Sequence, residues 1–357
     1  MNQKCIMILG MHRSGTSALA GVLDRLGVFM GKTLMPPNPN NPTGYYENLK
    51  VQIFNENKLL PRLKSAWDST FSFTPGWEND KGLNDLYMEA REIIDDEYGD
   101  VPVFGIKDPR ICRLFPFWEK VLAGMGVDIC VILPVRNPLE IAASIGARNK
   151  YSTEQSVVLW MIHEVDAERY SRNHRRVFIS YDAFVKNPFG VISSIETNLG
   201  LDFSETLRGK KDEIEKFIVS ELKHHSIDSG RIETAPGFIN AIISLFTDVS
   251  ANYDASREKE IQAELDKASR DFMASLKFFS NDGMQQQLKR VNELVGDLRK
   301  RDQERKEKIA KLKSDYELLS SFPIVKIPIK AYELSKKTVL GLIIKKLLDK
   351  RRSSIKK

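Results

Sequence analysis

The stretch Ile6-Met7-Ile8-Leu9-Gly10-Met11-His12-Arg13-Ser14-Gly15-Thr16-Ser17-Ala18-Leu19 constrains the fold more than any other part of the chain. A short apolar run suited to a buried strand enters a loop with two glycines and three hydroxyl residues. Ala18, Leu19, Val22, Leu23 and Leu26 then recur at helical spacing, and Gly27 ends the pattern. Strand, small-residue loop and helix N-terminus together make a phosphate cradle. Loop N–H groups and the positive end of the helix dipole converge there on an anion.

The rest of the chain repeats the alternation. Lys4–Leu9, Pro102–Ile106, Asp128–Val135 and Arg176–Tyr181 read as short apolar strands. Helical patterns cover Ser17–Leu26, Lys50–Leu60, Leu83–Glu97, Leu139–Arg148 and Glu154–Arg172, and residues 190–280 read as mostly helical. The expectation is an α/β fold, a three-layer P-loop-like parallel sheet flanked by helices. Ligands of such sheets bind beyond the carboxyl ends of the strands. Arg13, Lys107, Arg110 and Arg136 each follow a candidate strand, where all four can meet one anion. Residues 31–48 form a Pro/Asn-rich stretch suited to a substrate loop.

The loop departs from the nucleoside-triphosphatase pattern G-x-x-x-x-G-K-[ST]. Gly10 and Gly15 keep its spacing, but Thr16 stands in the lysine position and the cation comes earlier, at Arg13. Arg13-Ser14-Gly15-Thr16-Ser17 resembles the loop of sulfotransferases that use 3′-phosphoadenosine 5′-phosphosulfate (PAPS). Arg136, with Ser144 eight positions on, resembles that family's 3′-phosphate motif. A guanidinium offers a bidentate fork to phosphate, and the serine adds a hydroxyl donor. Lys107-Asp108-Pro109-Arg110 is similar to a segment of tyrosylprotein-type and bacterial members, and Tyr181-Asp182-Ala183-Phe184 through Pro188 to another. These similarities run in order over about residues 4–200.

The resemblance implies sulfuryl transfer from PAPS to an acceptor hydroxyl. His12, Arg13, Ser14, Gly15, Thr16, Ser17, Arg136, Ser144, Arg110 and Tyr181 would hold the co-substrate. Arg13 and Lys107 would offset charge on the sulfonate and the leaving oxygen, with Asp108 as an orienter. Arg110 either touches nucleotide or braces the sheet end, and Tyr181 either packs by the nucleotide or fills the sheet end. Gly44-Tyr45-Tyr46-Glu47-Asn48 is similar to segments of bacterial relatives, which makes Glu47 the expected general base and His12 the second choice. As a residue near a helix start, Glu47 also suits the dipole. His163 reads as a packing or surface residue, and His224 and His225 as helix-end cations. Trp67 and Trp77 either stack on a sugar or pack. No metal is expected: no ligand cluster has metal spacing, and PAPS has no triphosphate to neutralise.

Charge is unevenly spread. Residues 323–357 hold eleven Lys/Arg against two acidic residues, a net of +9, so the rest of the +6 chain carries −3. That distribution argues against a nucleic-acid partner for the main body. Cys5, Cys112 and Cys130 lie in or near apolar runs and read as reduced core thiols. Neither a leader nor a run of roughly 18 apolar residues is visible, so a cytoplasmic enzyme is expected.

Three parts are expected: a sulfotransferase-like domain over 1–280, a coiled coil over 284–320, and a basic amphipathic tail over 323–357. Leu288, Val291, Val295, Leu298, Ile309, Leu312, Tyr316 and Leu319 keep a heptad-like spacing, with Asp302 and Arg305 in core positions. This predicts a homo-oligomer; the alternative is one charged helix lying on the domain. The tail suits peripheral contact with an anionic membrane, or is a solvated tail. A glycan or glycolipid hydroxyl is the expected acceptor. The other readings are a small-molecule kinase using ATP, which should carry a Walker lysine, and an inactive membrane-associated scaffold.

Overall fold

The computed structural model describes residues 3–39, 41–70, 73–221, 237–279, 294 and 296–311. Two units are present, Met1–Glu293 and Leu294–Lys357.

In the first unit the described strands are β1 (Lys4–Ile8), β2 (Val103–Lys107), β3 (Asp128–Val135) and β4 (Arg175–Ser180). They form one parallel sheet in the order β2-β1-β3-β4. Each strand is buried along most of its length, as a parallel sheet covered on both faces requires. The alternation sorts the side chains into two cores. Cys5, Met7, Val131, Leu133 and Phe178 face one, and Ile6, Ile8, Cys130, Ile132, Val177 and Ile179 face the other.

The helices follow in chain order as α1 (Thr16–Arg25), α2 (Leu49–Phe54), α3 (Leu60–Arg62), α4 (Asn84–Tyr98), α5 (Ile111–Ala123), α6 (Pro138–Asn149), α7 (Thr153–Tyr170), α8 (Tyr181–Lys186), α9 (Pro188–Leu199), α10 (Ser204–Glu221), α11 (Gly237–Ala251) and α12 (Glu258–Phe279). Leu19 and Val22 of α1, Ile192 of α9 and Ile214 of α10 fill one core. Phe54 of α2, Ile94 of α4, Ile141 of α6, Trp160 of α7 and Phe246 of α11 fill the other. Three layers result, as the strand–helix alternation predicts. The expected strands and helices lie within a residue or two of the observed ones.

Two local features differ from the sequence reading. It assigns no helix at Ile111–Ala123, yet α5 runs there. Pro116 sits inside it and reads in the sequence as a helix breaker, and the polar Arg113 is buried along with the rest of Ile111 to Trp118. The pattern Lys50–Leu60 predicts one regular helix. The chain instead passes from α2 through a π-turn, Asn55–Leu59, into α3. The wider turn carries buried Asn55 to Asp108 (Nδ2 to Oδ2, 2.9 Å), and Asn55 Oδ1 accepts from Trp118 Nε1 at 2.9 Å. Such turns inside helices often mark functional sites.

The buried Arg176 of β4 donates to Glu168 of α7 and to Glu258 of α12, which ties α12 to the sheet. Cys5, Cys112 and Cys130 are free and buried, and burial raises each thiol.

In the second unit, residues 296–311 are helical, and Leu294, Leu298 and Ile309 are exposed. The remaining apolar heptad positions and the 323–357 tail lie outside the described residues, as do His224 and His225. Among the described residues, no helix is long and apolar enough to cross a membrane.

Candidate functional site

The order β2-β1-β3 puts the loop after β1 between the exits of β2 and β3. Adjacent strands lie about 4.8 Å apart, so three loops open into one small volume. The strand order reverses direction there, where open α/β sheets bind ligands. A cleft at this point is lined by His12, Arg13, Gly15, Thr16, Ser17, Asn41, Tyr45, Glu47, Lys107, Arg136, Arg148 and Tyr181, among others.

The floor of the cleft is an open helix end. Gly15 is the N-cap of α1, with φ +84°; no side chain caps the helix and no acid stands in its first turn. Its orphan N–H groups and dipole are left for an external anion. Arg13 also has a left-handed backbone, φ +72°. That turns the loop and brings Arg13 Nε within 2.7 Å of Ser144 Oγ on α6. Ser14 is fully buried and its hydroxyl has no hydrogen-bond partner.

Lys107, the last residue of β2, stands on one side. Its Nζ donates to Glu47 Oε1 (2.6 Å), Tyr45 O (3.1 Å) and Ser17 Oγ (3.2 Å). Both charged side chains are nearly inaccessible, at 2% for Lys107 and 5% for Glu47. Glu47 precedes the N-cap Asn48 of α2 and is therefore outside that helix. It arrives on the 31–48 loop, whose neck is fastened to buried Glu97. That carboxylate accepts from Thr33 N (2.7 Å), Thr33 Oγ1 (2.9 Å) and Asn48 Nδ2 (2.6 Å), and pairs with Lys50. Although burial opposes its charge, these donors hold Glu97 down at about 2. Asn41, further along the loop, donates to Ser17 Oγ at 3.2 Å.

Arg136 stands on the other side, directly after β3. Its Nη1 donates to Arg13 O (3.2 Å), its Nε pairs with Glu140 (2.7 Å), and its guanidinium lies 4.6 Å over the Tyr181 ring. Tyr181, the first residue of α8, fills the space that a side chain at Gly15 would need.

Arg148 also lines the cleft, a residue the sequence reading passes over. The available signal is its place one turn beyond Ser144 on α6, hence on the same face. Its guanidinium stands 5.8 Å over Trp67. Burial and the nearby Arg13 lower its pKa from the usual guanidinium value. Trp67 in turn stacks on Tyr151 and meets the His12 ring edge-on at 4.7 Å. Burial, then the positive charges of Arg110 and Arg148, keep His12 well below the ordinary imidazole value, so it is neutral at physiological pH.

Arg110 does not line the cleft. It forms ion pairs with Glu56 of the π-turn (2.7 Å) and with Asp108 (2.8 Å), which describes a brace at the sheet end. Trp77 is buried against Phe73. His163 is fully buried, its Nδ1 2.7 Å from Leu159 O.

No protein-family model matches the chain, and no curated protein matches it. Among the solved structures similar to it is the sulfotransferase domain of the Synechococcus PCC 7002 olefin synthase, at 16% identity over 76% of this chain and 95% of that one, TM-score 0.33. A second is the sulfotransferase domain from the curacin biosynthetic pathway, at 15% identity over 74% and 98%, TM-score 0.36. A third is a sulfotransferase from Mycobacterium tuberculosis H37Rv, at 15% identity over 70% and 77%, TM-score 0.35.

Proposed function

We propose that this chain moves a sulfuryl group from PAPS to an acceptor hydroxyl. The observation that carries the reading is a pair of cationic poles on either side of an open helix end that lacks a Walker lysine. Lys107, ion-paired with Glu47, is the cation of one pole, and Arg136, ion-paired with Glu140, is that of the other, with Arg13 in the loop between them. A nucleotide with an anion at each end of its ribose, at the 5′ and 3′ positions, suits two such poles. The orphan amides of α1 suit the phosphate between them.

In the transfer, the acceptor oxygen forms its bond to sulfur as the bond from sulfur to the bridging phosphate oxygen breaks. The acceptor proton passes to Glu47, and adenosine 3′,5′-bisphosphate leaves. Lys107, held 2.6 Å from Glu47, offsets charge on the sulfonate and the leaving oxygen together with Arg13. Protonation of Glu47 weakens its hold on Lys107 as the leaving group becomes more anionic, so base and electrophile act as one unit. The acceptor in this reading is a glycan or glycolipid hydroxyl, for which half-buried Trp67 at the cleft edge supplies a stacking surface. The basic tail would hold the cytoplasmic enzyme at an anionic membrane.

Calorimetric titration with adenosine 3′,5′-bisphosphate, without metal, tests the reading. Binding in the micromolar range is expected. Arg136→Ala should weaken it about 10- to 100-fold, the worth of a charge-assisted contact of roughly 1.5–3 kcal/mol. Binding of ATP with Mg²⁺ in its place would favour a kinase, and binding of neither would favour a scaffold.

The coiled coil is a second element of the proposal. Exposed Leu298 and Ile309 on the 296–311 helix predict that the full chain sediments as an oligomer and that Leu298→Asp with Ile309→Asp sediments as a monomer. Equal masses for the two proteins would remove this element and leave the catalytic reading intact.

A further inference from the structure

Behind the anion loop lies a buried acid that the transfer chemistry does not use. Glu164 of α7 is fully inaccessible. Its Oε1 accepts from the amide of Met11, in the loop itself, at 3.4 Å, and its Oε2 has no partner. One turn further along α7, buried Glu168 has two arginines, Arg172 and Arg176. No ion pair joins Glu164 to a cation among the described residues. We propose that Glu164 is a positioning residue of the anion loop: as a neutral acid it pins the start of the loop through the Met11 amide, and loss of its proton weakens anion binding in the cleft.

The physical argument is one of sign. A buried carboxylate without a counter-ion is costly, so the group takes up a proton instead. Burial pushes Glu164 up to about 8, opposed only by the Met11 amide. Deprotonation would set a negative charge behind the loop that must receive an anion, in a medium that screens poorly. By linkage, a bound anion must in turn favour the protonated acid.

The ionisable groups on the surrounding elements include Cys112 and Arg113 on α5, Glu140 and Arg148 on α6, Asp266 on α12, Asp108 after β2, His12 and Arg13 in the loop, and His163, Asp166 and Glu168 on α7 itself. Burial raises Cys112 well above its ordinary value and takes His163 down to about 3, while His12 is neutral. These three groups therefore do not change charge between pH 7 and 9.

The test compares the wild-type chain with Glu164→Gln and Glu164→Met. Adenosine 3′,5′-bisphosphate is titrated from pH 7 to 9.5, and thermal unfolding is followed over pH 5–9 without ligand. Wild-type affinity should fall at least about five-fold across the range, while the Glu164→Gln profile stays flat. Glu164→Met should be flat as well but weaker, because Met11 loses its acceptor.

Unfolding supplies a readout independent of the nucleotide. Between the usual carboxylate range and about 8, the folded chain holds a proton that the unfolded chain has released. Wild-type stability must therefore fall through this window relative to Glu164→Gln. A Glu164→Gln pH profile parallel to wild type, or a melting difference constant from pH 5 to 9, overturns the proposal. Only the choice of probe rests on the transfer reading. If wild type fails to bind bisphosphate at every pH, that reading fails, and inorganic pyrophosphate on the same proteins decides the role of Glu164 by the same two outcomes.

Discussion

Lys107→Met is expected to destabilise the fold by about 3–5 kcal/mol and to abolish transfer, the largest effect predicted for a single cleft residue. The substitution leaves Glu47 in place, almost inaccessible and without its cation. It also removes a donor from Tyr45 O and from Ser17 Oγ. A buried charge left alone costs far more than a pair contributes, which is why breaking such a pair is severe while replacing it whole is mild. Glu47→Gln should therefore cost less. The amide oxygen can still accept from Lys107, whose other two contacts survive. Lys107→Met combined with Glu47→Leu should regain most of the stability lost in the single variant and stay inactive.

Denaturant midpoints of the wild type and three variants, with PAPS turnover on each, close the cycle. A Lys107→Met cost below about 1 kcal/mol would mean that water reaches the pair. Activity in the double variant would remove both residues from the chemistry.

Much of this arrangement is visible in the sequence, and the parts that are not have definite causes. The cradle is legible because strand, loop and helix are contiguous. The strand exits are legible because parallel strands buried on both faces read as bare apolar runs ending in Arg136 or Lys107. The contact between Glu47 and Lys107 joins residues 60 positions apart. It depends on the 31–48 loop being closed at its neck by Glu97, and no local pattern announces that. Arg110 suits either a nucleotide contact or a sheet-end brace in the sequence, and the structure pairs it with Asp108 and Glu56. Glu56 lies in the π-turn, and helical periodicity cannot foresee such a turn. Helix α5 escapes for a different reason, since Pro116 in its middle reads as a helix breaker.

Gly15→Ala is expected to weaken bisphosphate binding by more than about 100-fold at a stability cost of only about 1–3 kcal/mol. Two constraints meet at this residue. Its φ of +84° strains any residue with a Cβ, and an added Cβ would overlap the Tyr181 ring carbons. Tyr181 can move only by disturbing Arg136, whose guanidinium lies 4.6 Å over its ring. Arg136 also holds Arg13 O, so the disturbance reaches the loop backbone.

Gly27 separates the two constraints. It has a similar φ of +94°, but an added Cβ there would meet nothing within 4 Å, so Gly27→Ala should cost about 1 kcal/mol and leave binding intact. Adding Tyr181→Ala to Gly15→Ala restores the space but not the backbone freedom, so partial recovery of affinity is expected. Full recovery would assign the whole effect to the ring, and none would assign it to φ. Wild-type affinity in Gly15→Ala itself would show that the anion does not sit on this helix end, and the cleft would lose its claim to the nucleotide.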